Sequence, residues 1–136
     1  MKKAYSLLLV ISLSLTSYAQ VKINEIYGKW TVEKVIEKPK EAQFEPVIDG
    51  FKKSTFVFNQ DGSFNLITTS KSELFAEVTK NTRGTQWIYE KSKNRIRIGR
   101  KADGYSIMGI LVQKSSDKIV FNLLESGIIL EMKKVD

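Results

Sequence analysis

The chain lacks cysteine and histidine throughout its 136 residues. These absences exclude a Ser-His-Asp triad, a thiol nucleophile and the usual zinc and copper sites, which need imidazole or thiolate ligands. They also exclude disulfide bonds, so a hydrophobic core alone has to stabilise the fold. A pair of carboxylates remains as a route to catalysis. The acidic residues are scattered, however, and several lie in predicted turns, where aspartate commonly hydrogen-bonds its own backbone. We therefore expect a protein that is not an enzyme and that uses no metal and no cofactor.

The one long apolar run lies at the N-terminus. Lys2 and Lys3 precede an apolar segment at residues 7–15, and Ala19 supplies the small residue expected just before a cleavage point. This arrangement is typical of a secretory signal peptide. The apolar segment is shorter than the about 20 residues that span a bilayer. We expect residues 1–19 to be a signal peptide cut before Gln20, and the protein to be exported, periplasmic or secreted, with no membrane span. Because no cysteine follows the cut, a lipid anchor is not expected.

Strong net charge is also missing from the predicted mature chain. Residues 20–136 number 117, enough for one domain with a single core. The formal charge of +7 falls to +5 without the two lysines of the signal peptide. Nucleic acid is not an expected partner, because export removes it and no recognition motif occurs. An acidic protein or a polyanionic glycan is the partner class that such a charge would attract.

Proline is scarce, and both prolines, Pro39 and Pro46, lie between Lys38 and Lys53. This segment is predicted to be a long loop, with room for one helical turn. Elsewhere apolar and polar residues alternate with the period of two that is typical of strands, separated by Asp-Gly and similar turns. Residues 72–80 fit either a short amphipathic helix or another strand. The chain thus contains eight strands, or nine if that segment is one; the eight lie at 27–37, 54–59, 64–69, 85–90, 95–100, 105–113, 119–124 and 128–134.

The connections between the strands predict the architecture. No helical stretch is long enough for a crossover between parallel strands, so the sheet must be antiparallel. A long sheet with tight turns in sequence order closes most simply into an up-and-down barrel, which removes exposed edges. A Greek-key sandwich would need a long crossing connection, for which residues 38–53 are the only candidate. The predicted fold class is an all-β, antiparallel, up-and-down barrel spanning residues 20–136.

A short motif opens the first strand. Gly28-Lys29-Trp30 resembles the Gly-x-Trp signature of the lipocalins. The resemblance extends over the mature chain through YGKWTVEKV, FVFNQDGSF and WIYEKSKNRIRI, and the chain is similar to the short lipocalin-like proteins exported by Bacteroidetes. It implies that Gly28 and Trp30 close one end of the barrel, with the tryptophan stacked on an arginine of a late strand. Since no arginine follows Arg100, Lys133 or Lys134 would have to replace it.

The lipocalin resemblance further implies that a small apolar or amphipathic molecule, such as a lipid, binds inside the barrel. An eight-stranded barrel has just enough interior to be filled by side chains or to hold one small ligand. The bulky residues of one parity therefore either fill the core or line a cavity. Such a cavity would lie between the first hairpin and the strand at 85–90, and residues 38–53 could cover its mouth. The candidate ligand-binding residues are Phe56, Phe58, Phe64, Leu66, Trp87, Tyr89 and Tyr105. The two tyrosines are the most ligand-like because each joins an apolar ring to a polar tip.

Basic residues are concentrated between positions 83 and 101, where seven occur against one acid. Within this stretch Arg95 and Arg97 alternate with Ile96 and Ile98. If the isoleucines face inward, the arginines form a ladder on the outer surface. If the arginines face inward instead, they form an anion-binding site for a ligand carboxylate, because buried arginines need a charged partner.

Two functions of different class follow from these patterns. The first is an exported lipocalin-like protein that binds a small apolar or amphipathic ligand in the barrel. The second is an exported interaction protein, of the immunity or envelope-assembly type, with a filled barrel that acts through its basic outer face.

Overall fold

The computed structural model describes residues 20–135, so the predicted signal peptide lies outside the described residues. Three short α-helices and eight strands make up most of this range. The helices are α1 (Ile23–Ile26), α2 (Glu45–Lys52) and α3 (Glu73–Thr82). The strands are β1 (Gly28–Glu37), β2 (Ser54–Phe58), β3 (Phe64–Thr68), β4 (Gln86–Glu90), β5 (Arg95–Gly99), β6 (Met108–Ser115), β7 (Lys118–Leu123) and β8 (Ile128–Val135). Single turns of 3₁₀-helix occupy Ala42–Phe44, Lys91–Lys93 and Lys101–Asp103.

All eight strands form one antiparallel sheet in the order β3-β2-β1-β8-β7-β6-β5-β4. Neighbouring strands follow one another along the chain except where β1 pairs with β8, which curls the meander into a barrel. Between the outermost strands, β3 and β4, the described residues make one bridge, Ser63 to Gln86. Next to it the backbone N–H of Phe64 donates to the carbonyl of Thr85 at 3.1 Å. The predicted all-β, antiparallel, up-and-down barrel of eight strands is confirmed, and the barrel is nearly closed.

Helix α3 lies in the seam that β3 and β4 leave open. Ser72 caps the helix, since its hydroxyl accepts a hydrogen bond from the backbone N–H of Phe75 at 3.3 Å. The ring of Phe75 is fully buried, and Thr82 is buried on the same face two turns further on. The sequence of residues 72–80 fits either a helix or a ninth strand. In the structure this segment forms a helix, which covers the seam.

The prediction of a loop at residues 38–53 is wrong, because this segment contains the 3₁₀ turn and the two-turn helix α2. Pro46 lies in the first turn of α2, where a missing N–H costs nothing and the fixed φ suits the helix. Glu45 at the start and Lys52 at the end complement the helix dipole. Proline is typical of loops, whereas at this position it begins a helix.

Helix α2 closes one end of the barrel. Its residue Phe51 is 5% exposed and packs edge-on against Phe75 at 5.0 Å between ring centroids. The same ring lies nearly parallel to that of Phe56, 6.1 Å away. Gly50 makes the close approach possible, because a Cβ there would lie 2.1 Å from the Phe75 ring. Helices α2 and α3 thus meet over the aromatic core at this end, which we call the helix end.

The opposite end, which we call the tryptophan end, is closed by Trp30 and α1. Trp30 is 5% exposed, and its indole Nε1 donates to the carbonyl of Ile26 at 2.8 Å. Lys134 lies over the indole, with its Nζ 5.5 Å from the ring centroid, and donates to the carbonyl of Glu25. A Cβ on Gly28, whose φ is +121°, would lie 3.0 Å from Cε of this lysine. Of the two lysines expected near this tryptophan, Lys134 is thus the one that lies over it.

Candidate functional site

Five of the seven candidate ligand-binding residues lie in the packed interior of the barrel. Each is at most 8% exposed, and the set comprises Phe56, Phe58, Phe64, Leu66 and Trp87. The ring of Phe58 lies 5.2 Å from that of Phe64 and 5.3 Å from that of Trp87. The indole Nε1 of Trp87 donates to the carbonyl of Asn59 at 2.9 Å. The rings themselves occupy the space between the first hairpin and β4 in which a cavity was considered.

The sixth candidate, Tyr89, anchors the N-terminal segment at the tryptophan end. Its hydroxyl donates to the backbone carbonyl of Val21, which is itself buried. Burial, with a smaller contribution from the nearby Glu25 carboxylate, raises the pKa of Tyr89 above its usual value. This hydroxyl is therefore neutral and committed to a structural hydrogen bond.

Three other candidates come together in a cleft on the outer surface, where β5 and β6 reach the helix end. The cleft has a volume of about 260 Å³ and is lined by Arg95, Arg97 and the seventh ligand candidate, Tyr105. It extends over the barrel rim as far as Phe51 of α2. We call it the rim cleft. Its remaining lining residues, none of them selected from the sequence, are Ser106, Ile107, Met108, Gly109, Leu123, Leu124, Glu125 and Ser126.

Strand β5 decides which side of the barrel the arginines face. Ile96 and Ile98 are completely buried, whereas the Arg95 and Arg97 side chains point outward and are about a third exposed, at 32% and 33%. The predicted external ladder is therefore present, and the alternative in which both arginines face the interior is wrong. Burying the isoleucines satisfies the alternating pattern at no cost in charge desolvation.

Gly109 on β6 leaves room for the cleft beside the arginines. It pairs with Arg97 in the sheet register and accepts a backbone hydrogen bond from Leu124 at 2.9 Å. A Cβ at this position would lie 3.2 Å from Cδ1 of Leu124 and would narrow the cleft. An isolated glycine inside a strand often marks such a close approach, so this residue carried a weak signal in the sequence.

The loop between β5 and β6 holds Tyr105 in place. Asp103 accepts hydrogen bonds from the backbone N–H groups of Ser106 at 3.2 Å and Arg100 at 3.1 Å. These hydrogen bonds, led by the one from Ser106, hold the pKa of Asp103 below its usual value. Gly99 is required here, because a Cβ on it would lie 2.7 Å from the backbone of Tyr105. Tyr105 thus lines the cleft from a loop whose backbone is held by these contacts.

Glu90 orients the two arginines. Its Oε1 accepts a hydrogen bond from Nε of Arg95 at 2.6 Å, and its Oε2 lies 4.0 Å from Nη1 of Arg97. Arg97 also donates to the carbonyl of Gly104. The hydrogen bond from Arg95 is the main reason that the pKa of Glu90 is lowered. One carboxylate faces two guanidinium groups with five N–H donors each, so donors remain for an anion.

The rim cleft therefore has two chemically different parts. The outer part carries the two guanidinium groups, with the exposed Glu125 at its margin. The inner part is apolar and is formed by Phe51, Met108 and Leu123. Such a site suits a small molecule with a negatively charged group at one end and an apolar chain at the other.

Comparison of the chain with protein-family models, with curated proteins and with solved structures found no match. Within residues 20–135, no helix combines the length and the apolar character needed to cross a membrane. In the same range, no group of three or more acidic side chains is arranged to hold a metal ion.

Proposed function

We propose that this protein is an exported, non-enzymatic, lipocalin-like binding protein whose ligand is a small amphipathic anion held in the rim cleft. The observation that carries the proposal is the pairing of Arg95 and Arg97 with an apolar inner part in one cleft, beside a barrel interior filled by aromatic rings. The ligand site then lies on the rim and outer surface, and the filled barrel serves as its scaffold.

The volume of the rim cleft guides the choice of a test ligand. Its 260 Å³ lies just below the usual range for drug-sized ligand pockets, about 300–1,000 Å³. A straight-chain carboxylic acid of about seven carbons, smaller than a drug-sized ligand, is therefore a suitable probe.

Recognition would combine a charged contact with apolar burial. A guanidinium group can hold a carboxylate through two parallel hydrogen bonds, and Arg97 is already oriented by Glu90 and Gly104. Each buried methylene adds about 0.8 kcal/mol. Association and the competing carboxylate of Glu90 offset much of this gain, so we expect a dissociation constant of about 0.1–1 mM.

The second candidate function, docking of an acidic protein or glycan, is supported by a different surface. Lys91, Lys93, Arg100 and Lys101 are exposed on the loops at either end of β5. They form a basic margin around the two arginines. A partner bound there would depend on several exposed charges at once and would be released by salt, because exposed pairs are individually weak.

Calorimetric titration of the purified protein with heptanoate tests the first function. Arg97→Gln is expected to weaken binding at least tenfold, because it removes the charged contact. Lys91→Gln, on an exposed turn outside the cleft, is the matched control and is expected to bind like the wild type. The uncharged 1-heptanol should bind at least tenfold more weakly than heptanoate.

Two results would contradict this function. One is the absence of heptanoate binding up to 10-fold above the expected ~1 mM limit. The other is equal weakening by Arg97→Gln and Lys91→Gln. Salt-sensitive binding of a sulfated glycan that Lys91→Gln weakens, without binding of heptanoate, would favour the outer-surface function instead.

A further inference from the structure

We propose that Phe51 is the specificity-determining residue of the rim cleft and that its ring sets the length of the apolar chain that the cleft accepts. This inference rests on the proposed function, since it concerns the same site.

The position of Phe51 supports this role. Arg95 and Arg97 line the outer part of the cleft, and Phe51 lines its inner part at the barrel rim. Behind the Phe51 ring are Phe56, at 6.1 Å, and Phe75, at 5.0 Å. A chain whose carboxylate is held by Arg97 and which extends toward α2 therefore meets this ring. The ring separates the cleft from the aromatic core.

The wall that Phe51 provides is rigid. The carbonyl of the preceding Gly50 accepts hydrogen bonds from the hydroxyls of Ser54, at 2.6 Å, and Thr68, at 3.3 Å. Gly50 itself is packed directly against the Phe75 ring. Helix α2 also continues almost directly into β2, with one residue, Lys53, between them. The backbone that carries Phe51 is thus fixed from both sides, so longer chains cannot be accommodated by a small shift of the helix.

A rigid wall predicts a break in the dependence of affinity on chain length. For acids short enough to fit, each added methylene buries apolar surface and should tighten binding about fourfold. Once the chain is long enough to reach the Phe51 ring, the next methylene gains nothing. Shortening this side chain opens space next to Phe56 and Phe75, so the break should move to longer acids.

The experiment is a titration of straight-chain carboxylates from butanoate to dodecanoate into the wild type and three variants. Phe51→Ala should continue to gain about fourfold per methylene past the wild-type break, and Phe51→Leu should shift the break by a smaller amount. Phe58→Ala is the matched control, because its ring is also fully buried in the aromatic core but neither packs against Phe51 nor lines the cleft. It should keep the wild-type break. Thermal melting identifies the variants that are folded.

The outcomes separate this inference from the function on which it rests. If the wild type binds short acids but the break does not move in Phe51→Ala and Phe51→Leu, the length-setting role is overturned and the proposed function stands. A break that moves equally in Phe58→Ala also overturns the role of Phe51. If the wild type binds none of the acids, the proposed function fails and the inference fails with it. Should Phe51→Ala not fold, the shift in Phe51→Leu decides.

Discussion

Both ends of this barrel are closed by an aromatic residue, but by different means. At the tryptophan end, Trp30 is held by a hydrogen bond to Ile26 and covered by Lys134. At the helix end, Phe51 is held by packing of α2 against α3, and the rim cleft lies beside it. The two ends therefore differ in role. Polar contacts close the tryptophan end, whereas the apolar residue that closes the helix end also forms a wall of the candidate site.

The largest expected effect comes from opening the tryptophan end. Trp30→Ala should lower the free energy of unfolding by about 3–5 kcal/mol, because it leaves a large cavity and removes the anchor of α1. Thermal or urea denaturation measures the loss. Trp30→Phe, which keeps an apolar ring, should lose less, and heptanoate binding by the folded fraction should not change. Unaltered stability of Trp30→Ala would contradict the role of this end.

An intermediate effect is expected from the helix end. Gly50→Ala introduces a Cβ that would lie 2.1 Å from the Phe75 ring, so the helices must separate at a cost of about 1–3 kcal/mol. Here, unlike at the tryptophan end, ligand binding should fall together with stability, because Phe51 moves with α2. The measurement is a denaturation curve together with a heptanoate titration. If stability falls while heptanoate binding is unchanged, the helix end does not support the binding site, and the proposed difference between the two ends is wrong.

The smallest effect concerns a polar contact at the tryptophan end, between Glu25 and Lys114, whose charged atoms are 3.0 Å apart. The hydrogen bond from Lys114 is the main cause that lowers the pKa of Glu25 from its usual 4.5. The contact between Glu25 and Lys114 therefore contributes fully to stability above about pH 4.5. This contribution is lost as the pH falls through the lowered pKa that Glu25 has in the folded state.

Glu25→Gln tests this contact. The variant should lose about 1 kcal/mol or less at pH 7, because both side chains are partly exposed. Denaturation from pH 7 to pH 3 should show the difference from the wild type shrinking at the acid end. A difference that stays constant over this range would mean that the charge of Glu25 does not contribute.

Much of the fold followed from the sequence, and the misjudged segments have identifiable causes. The period-two pattern and the turn residues predicted all eight strands, because burying one face of a sheet imposes that pattern directly. Helix α2 was missed because Pro46 was interpreted as a loop residue. The inward parity of Phe56 and Phe58 was correct, but parity alone cannot show whether the rings fill the interior. That depends on how rings from distant strands, such as Phe121, pack together.

The candidate site was only partly predictable. Arg95, Arg97 and Tyr105 were selected for their chemistry, and the structure brings them into one cleft. Phe51 was not predicted, because it lies in the segment that was expected to be a loop. Its place beside the arginines depends on the closure of the barrel, which brings α2 next to the loops that follow β5 and β7. No local pattern reports a neighbour more than 40 residues away along the chain.

The seam between β3 and β4 has a consequence for how the barrel opens. Phe64 directs its N–H across the seam to Thr85, so alternation along β3 turns the amides of Leu66 and Thr68 toward α3 and not toward a strand. Beyond the bridge between Ser63 and Gln86, the seam therefore depends on the packing of one short helix, whereas the pairing of β1 with β8 extends along most of both strands. Local unfolding should begin where the sheet has no partner strand. The slowest-exchanging amides should then belong to β1 and β8, which lie opposite the seam. The barrel is expected to open first between β3 and β4.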